Sequence, residues 1–272
     1  MVVQRIAAMF SRVMMGTCLV AVFPSYALDF STFNFPPFSQ QDQSGEVSGP
    51  FVGIIKDICK EMNEPCTFEM VPNRRLKMKV ANGEVTGGFP YGWNAERAKT
   101  LYFSVPFMLT EYGVFVSNKN QTQISGLSDM QGFHVGVFGP SNTSKSLDKL
   151  QAKMEQDGLK PITIKLQTDP KGQLVKMVNH GRIDAIYNNK AVTMYRAKEL
   201  NEDIRYAWKD KELLYFVAFP KEKTDINLVK RFNQAALKLF SQSGYLDGLL
   251  TPWSILPPPL TDDVLDKYDI AR

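Results

Sequence analysis

Histidine and cysteine are scarce in this chain of 272 residues, which holds two His and three Cys. His134 falls in a strand pattern and His180 at a helix end, neither with a Cys or His at ligand spacing, so no metal site is legible. Most catalytic schemes that depend on His are short of residues for the same reason. The signatures G-x-S-x-G, H-E-x-x-H, the Walker loop and the dinucleotide Gly fingerprint are all missing, and no cofactor is expected. Neither sign of charge dominates: 32 basic and 28 acidic side chains leave a net +4, too small and too evenly spread for a nucleic-acid footprint. With 44% hydrophobic and 22% charged residues, 18 Gly and 16 Pro, the composition excludes a disordered chain, a collagen-like repeat and a disulfide-dense miniprotein. The length allows one large domain or two of roughly 100 to 150 residues.

Long hydrophobic runs are also missing. The uncharged stretch from Val13 to Phe23 is about half of the roughly 20 residues that span a bilayer. It follows Arg5 and Arg12 and precedes Ser25 and Ala27, small residues at the two positions a signal peptidase reads. Residues 1–27 therefore read as an export signal cleaved after Ala27, and the mature protein as periplasmic. Cys18 lacks the Leu three residues upstream that a lipoprotein would carry, and it leaves with the signal. Two positive charges leave as well, so the mature chain has a net charge of about +2.

What remains is a pair, Cys59 and Cys66, in a chain bound for an oxidising compartment. Cys59 ends the helical pattern Val52, Ile55, Ile58, Met62, and Cys66 lies beyond Pro65, so a disulfide would clip a helix to the next strand. The alternative is two buried free thiols.

Two stretches share one grammar. Leu76 and Val80, and later Leu174, Met177 and Val178, form apolar helical faces that end at Gly83 and Gly181, each followed by a short strand pattern: Val85 in one, Ile183, Ala185 and Tyr187 in the other. Their separation is too large for a solenoid and suggests two α/β lobes of similar build. Strands are expected over 28–33, 67–71 and 134–138, and helices over 51–62, after Thr143, and over 224–240. The Pro-rich segment from Trp253 to Pro259 leads into a polar tail expected at the surface. Ligands of open α/β sheets bind beyond the carboxyl ends of the strands, which selects 90–97, 188–190 and 141–144, the last at a helix start suited to an anion.

The segments Asn34 to Phe38, Gly49 to Asp57, Glu96-Arg97 with Phe103 to Phe107, Gly132 to Phe138, Gly181 to Ala185 and Ser243 to Gly248 follow one another in an order that resembles the family 3 periplasmic solute-binding proteins, receptors of amino-acid ABC importers. The likeness covers nearly the whole mature chain, and the Cys59–Cys66 spacing is similar to the disulfide of the histidine and lysine/arginine/ornithine receptors. It implies a two-lobed type II periplasmic-binding-protein fold, each lobe a mixed sheet flanked by helices. Lobe 1 would be 28–111 plus 216–272 and lobe 2 would be 112–215, with two hinge crossings near Thr110 to Tyr112 and Leu214 to Phe216.

By the same resemblance Arg97 would clamp a ligand carboxylate through its fork. Phe35, with Phe38 as neighbour, would stack on the ligand, and Ser141, Asn142 and Thr143 would donate to the same carboxylate. Each has a plainer reading: Arg97 as a surface partner of Glu96, the Phe pair as core, the 141–143 trio as an N-cap. Two departures stand out. Where amino-acid receptors carry an Asp for the ligand's ammonium this chain has Asn189, beside Lys190, and the usual Ser/Thr-rich loop is replaced by Phe89 to Asn94 with Tyr91 and Trp93. Both favour a ligand with an anionic group and an apolar or ring portion. Arg74 and Arg75 read as a solvated helix face, and Asp184 as a brace of the strand turn.

Three functions remain. A monomeric receptor could pass a small anionic or zwitterionic solute to an ABC permease. An enzyme on the same fold, similar to the cyclohexadienyl dehydratases, would need an acid in the cleft, for which the loops offer only Glu96 and Asp184. A sensor component would instead signal through a membrane partner. Nucleic acid is not expected as a partner.

Overall fold

The computed structural model describes residues 27–168, 172–253 and 255–272; apart from Ala27, the expected export segment lies outside them. The chain opens with strand β1 (Leu28–Thr32), a hairpin of β2 (Gln40–Gln41) and β3 (Val47–Ser48), and helix α1 (Pro50–Glu61). Pro50 in its first turn needs no N–H partner, and α1 buries one apolar face through Phe51, Ile54, Ile55 and Ile58. Next come β4 (Cys66–Met70), α2 (Asn73–Asn82), β5 (Gly87–Gly92), α3 (Ala95–Thr100), β6 (Leu101–Phe103) and the long β7 (Met108–Ser117). The second run is β8 (His134–Phe138), α4 (Asn142–Gln156), β9 (Thr163–Gln167), α5 (Gln173–Asn179), β10 (Ala185–Asn189) and α6 (Lys190–Leu200). The 17-residue β11 (Ile204–Pro220), α7 (Ile226–Phe240), α8 (Tyr245–Leu250) and α9 (Asp262–Lys267) complete the chain.

The repeated grammar has a topological counterpart. One nine-stranded sheet runs in the order β4-β1-β5-β11-β7-β10-β8-β9, with β6 pairing β11. From each end, three parallel strands (β4-β1-β5 and β9-β8-β10) meet an antiparallel fourth, β11 and β7 respectively, and those two pair with each other. The expected strands after Gly83 and Gly181 begin later than the apolar pattern suggests, at Gly87 and Ala185. In the first unit Thr86 is instead held by the Asp29 carboxylate, which accepts from its N–H at 3.0 Å and its hydroxyl at 2.7 Å. In the second, Asp184 accepts from the His134 N–H at 2.7 Å, the bracing role read from sequence. Gly83 and Gly181 both have left-handed φ, +67° and +66°, a conformation that would strain a residue with a Cβ.

The core divides in the same way. One cluster stacks Phe51 on Phe89 and Phe107 and draws on residues 28–108, Ala191 and 214–270; the two others draw on residues 112–204. The C-terminal tail departs from expectation. Ile255, Leu265 and Ile270 are buried in the first cluster, Leu109 N–H donates to the Leu256 carbonyl at 3.0 Å, and the Tyr268 ring meets Trp93 and Phe216. Its polar composition hides three well-spaced apolar anchors, and these outweigh the charged residues between them.

Cys59 and Cys66 are joined, their Cα atoms 6.2 Å apart, tying the last turn of α1 to the start of β4. A loop this short restricts the unfolded chain by about 2 to 3 kcal/mol in the chain-entropy account. Replacing both Cys by Ser should lower the melting temperature by roughly 5 to 10 °C, read by differential scanning calorimetry, with ligand affinity unchanged. A comparable loss of affinity would show that the clip shapes the cleft.

Candidate functional site

Between the two halves of the sheet lies a cleft of about 570 Å³. Its walls come from the loop after β1, the ends of β5 and β10, the start of α4 and one face of α6. Phe35, Tyr91, Arg97, Ser141, Asn142, Thr143 and Asn189 all line it. The rule that ligands sit beyond the carboxyl ends of the strands thus selects loops that line this cleft in both units.

Arg97 lies in the first turn of α3, which Asn94 caps by accepting the Arg97 N–H at 2.9 Å. Its Nη1 donates to the Gly92 carbonyl at 2.6 Å and its guanidinium lies 5.3 Å from the Tyr91 ring centre. Glu96, the acid beside it in sequence, turns away to pair with Lys99 at 2.8 Å, and no carboxylate among the described residues forms a salt bridge with Arg97. The remaining donors of the fork are therefore open to a ligand. Burial pushes the Tyr91 phenol up to about 12, against the pull of Arg97, so it stays neutral near pH 7.

Phe35 is held at the cleft wall by a tight loop: its N–H donates to the Ser39 carbonyl at 2.8 Å, and the Ser39 hydroxyl bonds both Thr32 and the Phe33 carbonyl. Its ring stacks on Phe33 at 5.0 Å and on Phe38 at 5.2 Å. Phe38 is fully buried, so Phe35 faces the cleft while Phe38 supports it from the core.

The start of α4 closes the other side. Ser141 is its N-cap: Oγ accepts from the Ser144 N–H at 3.1 Å and donates to the Phe138 carbonyl at 2.6 Å, while the Ser144 hydroxyl accepts from the Ser141 N–H at 2.9 Å. The capping reading thus holds for the hydroxyl of Ser141. Capping does not consume the helix dipole, and the first turn of this 15-residue helix opens on the cleft.

Asn189 is almost wholly buried and is bonded on both sides of its amide. Oδ1 accepts from the Val192 N–H at 3.2 Å as the N-cap of α6, and Nδ2 donates to Thr110 Oγ1 at 2.8 Å and Tyr215 Oη at 3.3 Å. The amide thereby joins α6 to β7 and β11. An Asp could cap the helix too, but it could not donate to either hydroxyl. The Tyr112 and Tyr215 phenols beside it are raised by burial and stay protonated.

Trp93 lies elsewhere. It packs edge-on against Tyr268 of the C-terminal tail at 5.4 Å and is not among the residues that line the cleft. Tyr91 and Trp93 are two apart and would share a face of a continued strand, but β5 ends at Gly92, and beyond it the chain carries Trp93 to the ring of Tyr268 in the tail. Missing from the sequence reading are Lys77 and Arg196, which line the cleft with Arg97. Lys77 is on α2 one turn beyond Asn73, another lining residue, whereas Arg74 and Arg75 are exposed as expected. Partial desolvation, then repulsion from Arg97 and Lys145, holds its ammonium below the usual lysine range. Among the described lining residues there is no Asp or Glu.

The comparisons fit this architecture. Residues 31–160 match the family described as bacterial extracellular solute-binding proteins, family 3. The arginine-binding periplasmic protein of Mannheimia haemolytica is 26% identical over 228 residues, covering 81% of this chain and 87% of that one. Among solved structures, a probable amino-acid ABC transporter extracellular-binding protein from Bacillus subtilis superposes with a TM-score of 0.73 at 20% identity, covering 88% of this chain and 99% of that one. A histidine kinase sensor domain similar to periplasmic binding proteins gives a TM-score of 0.71 at 18% identity, over 85% of this chain and 98% of the other. At these identities the two structures share the two-lobed fold. With the halves of its sheet joined through β7 and β11 and a cleft between them, the chain has the architecture of these binding proteins, and its residues 31–160 are similar to the bacterial extracellular solute-binding proteins, family 3.

Proposed function

We propose that this chain is an exported receptor, cleaved after Ala27 and acting as a monomer in the periplasm, that captures a small anionic or zwitterionic solute, an amino acid or related carboxylate, and delivers it to an ABC-type permease. The observation that carries the reading is Arg97: a guanidinium in a cleft, its charge unmatched by any carboxylate among the described residues, opposite the first turn of α4. A carboxylate bound there would take bidentate hydrogen bonds from the fork and gain from the helix dipole. Phe35 and Tyr91 would cover the apolar part of the solute. In this reading residues 28–111 with 216–272 form one lobe and 112–215 the other, closing about the β7 and β11 crossings.

The electrostatics narrow the solute. The Mannheimia relative is named for arginine, whose guanidinium would face Lys77, Arg97 and Arg196 here, of which only Arg196 has a carboxylate partner, Glu199 outside the cleft lining. A cationic side chain is disfavoured, and an anionic or neutral one is favoured. The dehydratase alternative draws no support from Glu96, whose carboxylate is exposed and paired with Lys99, nor from Asp184, which is bonded to His134. A sensor role has one specific observation behind it, the likeness to the histidine kinase sensor domain. It uses the same cleft and differs only in the partner.

Two measurements test the site. Arg97→Ala should weaken the binding of a carboxylate solute at least about tenfold by titration calorimetry, the loss of charge-assisted bonds. Melting of the unliganded protein should barely change, since Arg97 leaves behind only one bond to a carbonyl; equal affinity in the variant would remove Arg97 from the site. Asn189→Asp keeps the cap on α6 and adds a negative charge near the ligand. Relative to a matched carboxylate without an ammonium, an α-amino acid should gain at least about tenfold in the variant. An unchanged ratio would show that position 189 does not sense the ligand's charge.

A further inference from the structure

Helix α6 presents Thr193 and Arg196, three residues apart and so on one face, to the wall of the cleft. Thr193 is 1% exposed, and its hydroxyl has no hydrogen-bond partner among the described residues. The Nε of Arg196 is likewise buried and unpartnered, in a side chain only 16% exposed. One arm of that guanidinium is held: Nη1 is bonded to the Glu199 carboxylate and the group lies 5.9 Å from the Tyr195 ring centre. Tyr195 is itself tied across to the other half of the molecule, its hydroxyl donating to Gln40 at 3.1 Å. Gly172, at φ +85°, brings backbone against the same stretch, a Cβ there meeting Leu200 at 2.5 Å and Arg196 Cβ at 3.9 Å.

Buried polar groups in folded proteins are nearly always bonded, and two unbonded donors on one helix face, in a wall free of carboxylates among the described residues, are an exception that an acceptor would resolve. We infer that Thr193 and Arg196 form a second anion subsite in the cleft, so that the solute carries two anionic groups, one on Arg97 and one on α6, as a dicarboxylate does. This rests on the receptor reading above and adds the class of solute. Glu199 does not compete for the subsite, because it occupies Nη1 and leaves the Nε–H free. A solute with a single carboxylate would leave both donors as they are.

The test is titration calorimetry of the mature protein at fixed ionic strength with succinate, glutarate and adipate, each against its monomethyl ester, together with L-arginine and the neutral amino acids. At least one dianion should bind about tenfold or more tighter than its ester, the effect of one charge-assisted bond pair. Thr193→Val and Arg196→Gln should each cut that advantage, the ratio of dianion to ester affinity, severalfold. Thr193→Val removes an unpartnered buried hydroxyl, so its melting temperature should equal or exceed that of the parent, which keeps the result readable if Arg196→Gln folds poorly. Equal affinity for dianion and ester, tighter binding of L-arginine or a neutral amino acid, or a dianion preference that survives Thr193→Val would overturn the second subsite and leave the receptor reading in place. Binding of no solute in the panel would overturn both.

Discussion

The antiparallel pairing of β7 with β11 holds the molecule together. Each strand begins in one half of the sheet and ends in the other, and their register runs from Ile204 opposite Ser117 to Tyr215 opposite Met108, with irregularities between Tyr206 and Trp208 and between Lys209 and Lys211. Without this ladder the two β-α-β-α-β units would have no shared backbone hydrogen bonds, and the cleft would have no floor. The ladder also sets where the chemistry can be: Tyr112 on β7 and Tyr215 on β11 line the cleft, and Asn189 reaches both strands through Thr110 and Tyr215. In the proposed receptor these crossings would be the hinge, and a backbone ladder can bend at a bulge without breaking its outer bonds.

The cleft built on that floor has unbalanced electrostatics. Like charges brought together in a partly desolvated cleft are costly, and a ligand of opposite charge offsets that cost. Lys77 is already under that pressure, its ammonium held below the ordinary range by desolvation and by Arg97 and Lys145. An anion between them would relieve the repulsion, so the same interactions that disfavour the empty site favour the filled one. Cations from both halves contribute, Lys77 and Arg97 from the first and Arg196 from the second, and a bound anion would therefore draw the halves together.

How much of this was legible in the sequence depended on whether the signal was local. Helices and strands with an apolar period and a Gly stop were readable to within a few residues, because period and stop reside in the same short window. Arg97, Ser141, Asn142, Thr143 and Asn189 stand at strand ends or helix starts, positions that the rule for open α/β sheets points to without knowledge of packing. Lys77, Thr193 and Arg196 occupy helix interiors, where the face turned to the cleft is fixed by how the helix packs rather than by its own residues. Trp93 failed for a related reason: its partner Tyr268 is 175 residues away in sequence, in a tail whose polar composition concealed Ile255, Leu265 and Ile270.

Asn189 brings these threads together. At this position an Asp would give an ammonium a countercharge, but here it would also sit in a cleft whose described walls hold three cations and would pair with whichever lay nearest. An amide keeps the helix cap and supplies the two donor bonds that bind α6 to the crossing strands, at no cost in charge. In the proposed receptor it would leave Arg97 free to attract a ligand from solution instead of being neutralised from within. The amide is therefore consistent with the rest of the site: residue 189 has a structural role of its own, and in the proposed receptor the countercharge for the cleft would come from the solute.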